Sequence, residues 1–382
     1  MNRKRVPLGD YITEYSVRNK SDENIPVYSV TNSQGFCTEY FDKEVASKDK
    51  STYKIVPRGF FAYNPSRINV GSVDWQRSEE RVIVSPLYNV FSVSEELDKQ
   101  YLFYFLKSDI GKQMIKAKSS GSVRENLKLD MLKEMTIPKR TIYEQKKCVA
   151  ILDELKKIIT LYTERIEKYD ELVKARFVEM FGDITTGNYK YVTRKLGDVA
   201  NVGSSHRVFT TEFVKNGIPF YRGTEIGELA NGNKPTEPFY ISEEHYNRLV
   251  YNDTKPQVGD LLLPSICNKG QVWMVDTDEP FYYKDGRVLC ISPDREIFDT
   301  KYLEYFMKAK TLVEYPKLGS GSTFAEFKIF LLKDIDVLIP PRELQEQFSI
   351  FVKQVDKSKV VAQQMLDETQ KLFDSLMQEY FG

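Results

Sequence analysis

Two stretches of this sequence carry residue types that could do chemistry, and neither completes its motif. Tyr63-Asn64-Pro65-Ser66 superficially resembles the Asn-Pro-Pro-aromatic loop of adenine methyltransferases, but the second proline and the aromatic after it are absent. No glycine-rich cofactor loop accompanies it, so a turn is the simpler reading. Pro293-Asp294-Arg295-Glu296 hints at a nuclease PD…ExK pattern, but the spacing is wrong and the lysine is missing. No GxGxxG and no Walker loop occurs, hence no cradle for a dinucleotide or a triphosphate. His206 and His245 are the two histidines and both lie in the second half, which leaves no credible Ser/His/Asp or Cys/His set. Cys37, Cys148, Cys267 and Cys290 are far apart and form no CxxC. Reduced, buried thiols are expected rather than a zinc site. No catalytic residue, no metal and no cofactor bound by this chain are expected; what remains is the chemistry of binding.

Two loops suit phosphate. Lys118-Ser119-Ser120-Gly121-Ser122-Val123-Arg124 and Lys317-Leu318-Gly319-Ser320-Gly321-Ser322-Thr323 are hydroxyl-rich, glycine-containing and basic. Such loops bring backbone N–H groups close to phosphate oxygens. Ser120, Ser122, Arg124, Ser320, Ser322 and Thr323 are therefore candidate DNA contacts. The same segments also read as capping boxes, Ser122-x-x-Glu125 and Thr323-x-x-Glu326, which open short helices; the cap and a DNA-facing loop are compatible. Asn64, Arg67 and Asn69 in the first half, and Arg222, Thr224, Asn268 and Lys269 in the second, are further candidates. Arginine and asparagine are the residue types that read guanine and adenine edges bidentately in the major groove. Any one of them is also an ordinary surface residue type.

The elements that must hold these residues are announced by an internal duplication. Leu8-Gly9-Asp10 answers to Leu196-Gly197-Asp198, Ile25-Pro26-Val27-Tyr28 to Ile218-Pro219-Phe220-Tyr221, and Tyr104-Phe105-Leu106-Lys107 to Tyr305-Phe306-Met307-Lys308. Gly121-Ser122 answers to Gly321-Ser322, Leu132-Lys133 to Leu332-Lys333, Ile137-Pro138 to Ile339-Pro340, Glu144-Gln145 to Glu346-Gln347, and Phe181-Gly182 to Phe381-Gly382. The order never breaks, and the period is that of a domain rather than of a solenoid repeat. The fold class expected is mixed α/β: two similar globular parts, about 1–139 and 190–340, each followed by a long helix. Strands are expected at Arg81 to Val84, Gly259 to Leu263 and Val272 to Val275, and helices at Leu97 to Lys107 and Thr300 to Lys308. Ser33 to Ile55 has no counterpart in the second half, so a common frame carries different inserts.

The long helices are the clearest signal. Cys148, Leu152, Leu155, Ile159, Tyr162, Ile166, Tyr169 and Val173 recur at alternating steps of four and three, a heptad seam. Leu344, Phe348, Phe351, Val355, Ser358, Ala362, Met365, Thr369, Leu372 and Leu376 keep the same steps, with small and polar residues in the middle. Each helix begins after a proline and ends at Phe-Gly, where glycine suits a C′ position. About 40 residues make a rod of roughly 60 Å. A lone apolar stripe must be buried. The two helices packing on each other, antiparallel, is the simplest solution; each folding back on its own globular part is the alternative.

Bulk properties bound the rest. At 382 residues the chain exceeds one ordinary core. No apolar run is long enough to span a membrane and Met1 to Asp10 has no apolar signal region, so a cytoplasmic location is expected. The 55 basic residues equal the 55 acidic ones. Nucleic-acid binding would then depend on local patches or on a partner's charges.

Two motifs resemble a known family. Leu172-Val173-Lys174-Ala175-Arg176-Phe177-Val178-Glu179-Met180-Phe181-Gly182-Asp183 resembles the end of the central helix of type I restriction–modification specificity subunits, and Ile339-Pro340-Pro341-Arg342-Glu343-Leu344-Gln345-Glu346-Gln347-Phe348 the opening of their C-terminal helix. The first helix opening, Ile137 to Gln145, departs by lacking the second proline and the leucine. The resemblance implies a target-recognition domain at 1–139, a spacer helix at 140–183, a second recognition domain at 184–340 and a second spacer helix at 341–382. It implies a non-catalytic chain that binds double-stranded DNA at a bipartite site. Two methyltransferase subunits would bind S-adenosylmethionine, and restriction–translocase subunits would join them. The helix pair would set the gap between half-sites. A coiled-coil scaffold for protein partners, and a complex that only methylates, remain open at this point.

Overall fold

Short β-type runs broken by turn residues build several small sheets rather than one large one. The computed structural model describes residues 3–38, 50–119, 126–250, 255–318 and 325–382. The chain divides into two compact units, one made of Met1–Arg165 with Ala362–Gly382, the other of Ile166–Val361.

Both units share a four-stranded antiparallel sheet with the same strand order. In the first it runs Ile12–Glu14, Asn89–Val93, Phe61–Tyr63, Val73–Trp75. In the second it runs Ala200–Gly203, Val288–Pro293, Leu261–Pro264, Trp273–Met274. The inner strands read as continuous apolar runs because both faces are covered: Phe61, Ala62 and Tyr63, and Leu261, Leu262 and Leu263, are fully buried. A two-stranded pair recurs as well, Arg5–Pro7 with Thr136–Pro138 and Thr193–Lys195 with Asp336–Leu338. The remaining strands differ. The first unit adds Ser29–Thr31 with Gly35–Cys37 and Lys54–Pro57 with Arg81–Val84. The second adds a sheet of Phe213–Val214, Phe239–Ile241, Ile218–Tyr221 and Tyr282–Tyr283.

The helices in chain order are α1 (Lys99–Lys107), α2 (Asp109–Ser119), α3 (Leu129–Lys133), α4 (Ile142–Phe181), α5 (Leu196–Val199), α6 (Gly223–Ala230), α7 (Glu243–Leu249), α8 (Thr300–Glu314), α9 (Ile329–Lys333) and α10 (Arg342–Phe381). Asp98 and Asp299 cap α1 and α8 by accepting from the N–H of Tyr101 and Tyr302 at 2.9 and 3.0 Å. Helix α8 runs six residues beyond the expected end at Lys308, and α2 has no counterpart among the expected helices. Gly182, at φ +100°, turns the chain out of α4; a Cβ there would lie 2.2 Å from the Asn188 carbonyl oxygen.

The long helices resolve the two packing alternatives in an unexpected way, because within each unit both hold. In the first unit Cys148 and Leu152 of α4 share one core with Tyr101, Tyr104 and Phe105 of the globular part and with Met377 and Phe381 of α10. In the second, Phe177 of α4 meets Phe348 of α10 and Tyr302 of α8, with ring centres 5.4 and 6.1 Å apart. Asp170 pairs with Lys359 at 2.6 Å. The start of one helix therefore lies beside the end of the other, antiparallel, and both lie on the globular part.

The seam on α4 is as spaced: Leu152 is buried, and Leu155, Ile159, Tyr162 and Ile166 are half-buried. On α10 half of the expected positions shift by one. Val355 and Ala362 are buried, but Met365 and Leu372 are exposed and Phe351 is only half-buried. The inward side runs instead through Gln345, Phe348, Val352, Val355, Ala362, Leu366, Thr369, Phe373 and Met377. Steps of four-three and three-four share every second position and differ by one at the others, and at Phe351/Val352, Met365/Leu366 and Leu372/Phe373 apolar residues stand at both, so periodicity alone does not choose there.

The duplicated register is corrected too. The structure pairs Gln145 with Gln345, not with Gln347, and Pro138 with Leu338, not with Pro340. Gln145 Oε1 accepts from Asp98 N–H at 2.7 Å, and its Nε2 donates to the carbonyls of Glu96 and Arg140. Gln345 Oε1 accepts from Asp299 N–H at 3.0 Å, and its Nε2 donates to Ile297 and Pro340. Gln345-Glu346-Gln347 offers two glutamines, and only the buried one can satisfy the start of α8.

Candidate DNA interface

Asn64, Arg67, Asn69, Asn268 and Lys269 sit on turns that leave a buried inner strand of each shared sheet, and Arg222 and Thr224 stand at the start of α6. In the first unit the strand ends at Tyr63 and the chain turns through residues 64–72. Asn64 Oδ1 accepts from Ser66 N–H at 3.1 Å and from Ser66 Oγ–H at 2.9 Å. That is an Asx turn, so Asn64 shapes the loop with the acceptor that a base reader would need. Arg67 is exposed, and its N–H donates to the Asn64 carbonyl at 3.0 Å. Asn69 is half-buried, and its Oδ1 accepts from Val70 N–H at 2.9 Å. Lys107, at the end of α1, pins the turn by donating to the Gly71 carbonyl and to Asn32 Oδ1.

In the second unit Thr224, Asn268 and Lys269 are exposed. Asn268 and Lys269 lie in the turn between Leu261–Pro264 and Trp273–Met274, where Gln271 Oε1 accepts from Lys269 N–H at 2.9 Å. Thr224 is in the first turn of α6, which packs on the same strand and turn: Cβ atoms built at Gly223 and Gly227 would lie 3.1 Å from Pro264 Cβ and 3.9 Å from Gln271 Cγ. Arg222 stands just before α6. Its Nε donates to Glu225 Oε2 at 3.1 Å, its Nη2 donates to Oε1, and its guanidinium carbon is 4.4 Å from the Phe239 ring centre. Glu225 takes the Nε and one Nη2 donor and so fixes the guanidinium, while the Nη1 donors and the second Nη2 donor remain for an outside acceptor. Sequence reasoning saw Arg222 and missed Glu225, although Arg-x-x-Glu at a helix start is a legible signal.

Burial alone would raise the Glu225 carboxyl, but the Arg222 side chain and backbone N–H outweigh it and hold the pKa below the usual carboxylate range. A depressed folded pKa contributes stability above the unfolded value, lost as pH falls through the folded one. Glu225→Gln is therefore expected to be less stable than the unaltered protein at pH 7 and to lose less on acidification. Urea midpoints at neutral and acid pH check this; parallel curves would reject it.

One hydrogen bond recurs in both units. Leu127 N–H donates to the Pro65 carbonyl at 3.0 Å, and Phe327 N–H donates to the Ser265 carbonyl at 2.7 Å. Each is 200 residues from its counterpart. The chain following each hydroxyl-rich loop is thereby fastened to the turn that carries the other candidates. Ser120, Ser122, Arg124, Ser320, Ser322 and Thr323 themselves lie outside the described residues. The arrangement can offer exposed polar and cationic side chains on one turn per unit, above a rigid sheet, which suits groove and phosphate contacts.

The family profile described as "Type I restriction modification DNA specificity domain" matches residues 9–169 and again residues 188–368. The chain belongs to this family. Its role is specificity, with catalysis in partner subunits. The type I restriction enzyme MjaIX specificity subunit of Methanocaldococcus jannaschii is 23% identical over 301 residues, 73% of this chain and 67% of that protein. The S subunit of a type I restriction–modification system from M. genitalium shares the fold at a TM-score of 0.58 and 14% identity, over 100% of this chain and 96% of that one. A structure reported for complex assembly and conformational transition of a type I R-M system aligns at 0.60 and 16% identity, over 99% and 97%. The two family matches fall on the two halves that the duplication defines. Among the described residues, no helix is long and apolar enough to cross a membrane and no group of three or more His, Cys, Asp or Glu could hold a metal ion.

Proposed function

We propose that this specificity-family chain chooses the DNA sequence for a type I restriction–modification complex in the cytoplasm, each unit reading one half of a bipartite site. The observation that carries the reading is the recurrent turn. The same strand, the same following hydrogen bond and a different set of exposed side chains occur once per unit. That is what two readers of unlike sequences on a common frame require. The candidate readers are Arg67, Asn69, Thr224, Asn268 and Lys269, with Ser120, Ser122, Arg124, Ser320, Ser322 and Thr323 on the adjoining loops. Asn64 and Arg222 stay among the candidates and also shape their surroundings.

Two methyltransferase subunits would dock on the helices, each binding S-adenosylmethionine, and restriction–translocase subunits would join for cleavage. Repeated apolar exposure supports a pair of like partners. Leu161 and Leu372 of the first unit are 62% and 50% exposed, and Val361 and Leu172 of the second 57% and 48%. Each position stands 200 residues from its counterpart, so two copies of one partner would find matching surfaces.

Mapping methylated adenines in cells with and without this chain tests the proposal. A two-part motif with an unspecified middle is expected, absent when the chain is deleted. A continuous motif, or methylation that does not change, would reject it.

A further inference from the structure

Trp75 and Phe103 lie half-buried in the first unit with four cationic side chains around them. The Arg77 guanidinium carbon is 4.2 Å from the Trp75 ring centre and 5.4 Å from that of Phe103. Lys99 Nζ is 5.9 Å from Trp75, and Lys107 and Lys156 Nζ are 5.5 and 6.0 Å from Phe103. Two carboxylates are close by: Asp74 pairs with Arg77 at 2.8 Å, and Asp153 accepts from the Tyr104 hydroxyl. An aromatic face attracts a cation without cancelling its charge. The cluster is left with more positive than negative charge. Burial lowers the Lys107 pKa, and repulsion from Lys112 and Lys156 acts the same way against Asp74.

The same place in the second unit is neutralised. Counting from Tyr101 and Tyr302, Glu304 stands where α1 has Phe103; Asp356 stands where α4 has Lys156. Lys301 bridges Glu304 at 3.1 Å and Asp356 at 3.2 Å, and Lys308 pairs with Glu304 at 2.8 Å. Two lysines meet two carboxylates, and nothing there calls for an anion. The first unit's cluster also adjoins its candidate reading turn, because Lys107 is the residue that holds Gly71 and Asn32.

We propose that the pad formed by Trp75, Arg77, Lys99, Phe103, Lys107 and Lys156 seats the phosphate backbone of DNA, a sequence-independent hold that the first unit has and the second lacks. The proposal rests on the reading of this chain as a DNA-specificity subunit. Lys107 and Arg77, already tied to the turn and to Asp74, orient the pad; Lys99 and Lys156 reach the phosphates.

The test titrates the complex of this chain with its methyltransferase partner against a duplex carrying the motif found by methylation mapping, over a KCl series. Every phosphate that a lysine no longer neutralises flattens the plot of log K against log salt by about 0.9. Lys99→Gln combined with Lys156→Gln is expected to flatten it by about 1.8, equally on a scrambled duplex. Lys156→Gln alone, an exposed change on a helix, is expected to account for half of that. Lys301→Gln with Lys308→Gln is expected to leave the slope unchanged. An unaltered slope in both Lys156 variants would overturn the proposal, as would loss of the methyltransferase on gel filtration with DNA affinity intact, which would make the pad a protein seat. An unaltered complex that binds the motif no better than the scrambled duplex would fail one step earlier, at the specificity reading itself.

Discussion

Phe177→Ala in α4 is expected to cost the second unit about 3–5 kcal/mol, read as a fall in its urea midpoint at unchanged slope. Phe177 is 1% exposed and sits at the centre of an aromatic set drawn from α4, α8 and α10. Its ring centre is 5.0 Å from Phe181, 5.2 Å from Tyr305 and 5.4 Å from Phe348. Truncation removes the transfer energy of the ring and leaves a cavity that three separate elements would have to move together to close. Val178, the next residue, is 38% exposed. Val178→Ala is expected to change stability by no more than about 0.5 kcal/mol. Equal effects at the two positions would mean that the α4 face is not the one described.

Gln345→Leu is expected to cost the same unit roughly 3 kcal/mol or more. It leaves the Asp299 N–H and the carbonyls of Ile297 and Pro340 without their partner, and each buried unsatisfied group costs about 1–3 kcal/mol. The shape of the side chain is nearly kept, so packing is not the cause. Gln347→Leu, two residues along and exposed, is expected to be close to neutral. Thermal unfolding of the pair decides between the two registers that the sequence allows. If Gln347→Leu were the damaging change, the equivalence of Gln145 and Gln345 would be wrong.

How much of this was legible in the residues follows a physical line. The duplication and the existence and phase of α4 were readable, because a 40-residue heptad pattern repeats its signal many times over. The phase of α10 was not: apolar residues at Met365 and Leu366, and at Leu372 and Phe373, satisfy both step patterns, and only the partner surface chooses. Of the inner strands, Leu261–Pro264 was readable as an apolar run; the common sheet order was not, since it depends on pairings between residues far apart in the chain. Among the site residues, type alone suggested Arg222 and Asn64. The partners that orient them, a buried glutamate three residues on and a serine two residues on, are local and were there to be found. The pad around Trp75 and Phe103 was not, because Lys156 joins it only through the packing of α4 on α1.

The way the first unit is assembled from two ends of the chain bears on how the protein is made. Its core needs Met377 and Phe381, whereas the second unit is one unbroken stretch from Ile166 to Val361. At about 5–20 residues per second, the ribosome takes roughly 10–40 s to pass from Arg165 to Phe381. Through that interval the half that emerged earliest waits with an open apolar seat at Cys148 and Leu152, and the later half closes only once Phe348, Val352 and Val355 have followed. Completion thus reverses the order of synthesis: the stretch ending at Val361 is whole before the one that needs Phe381.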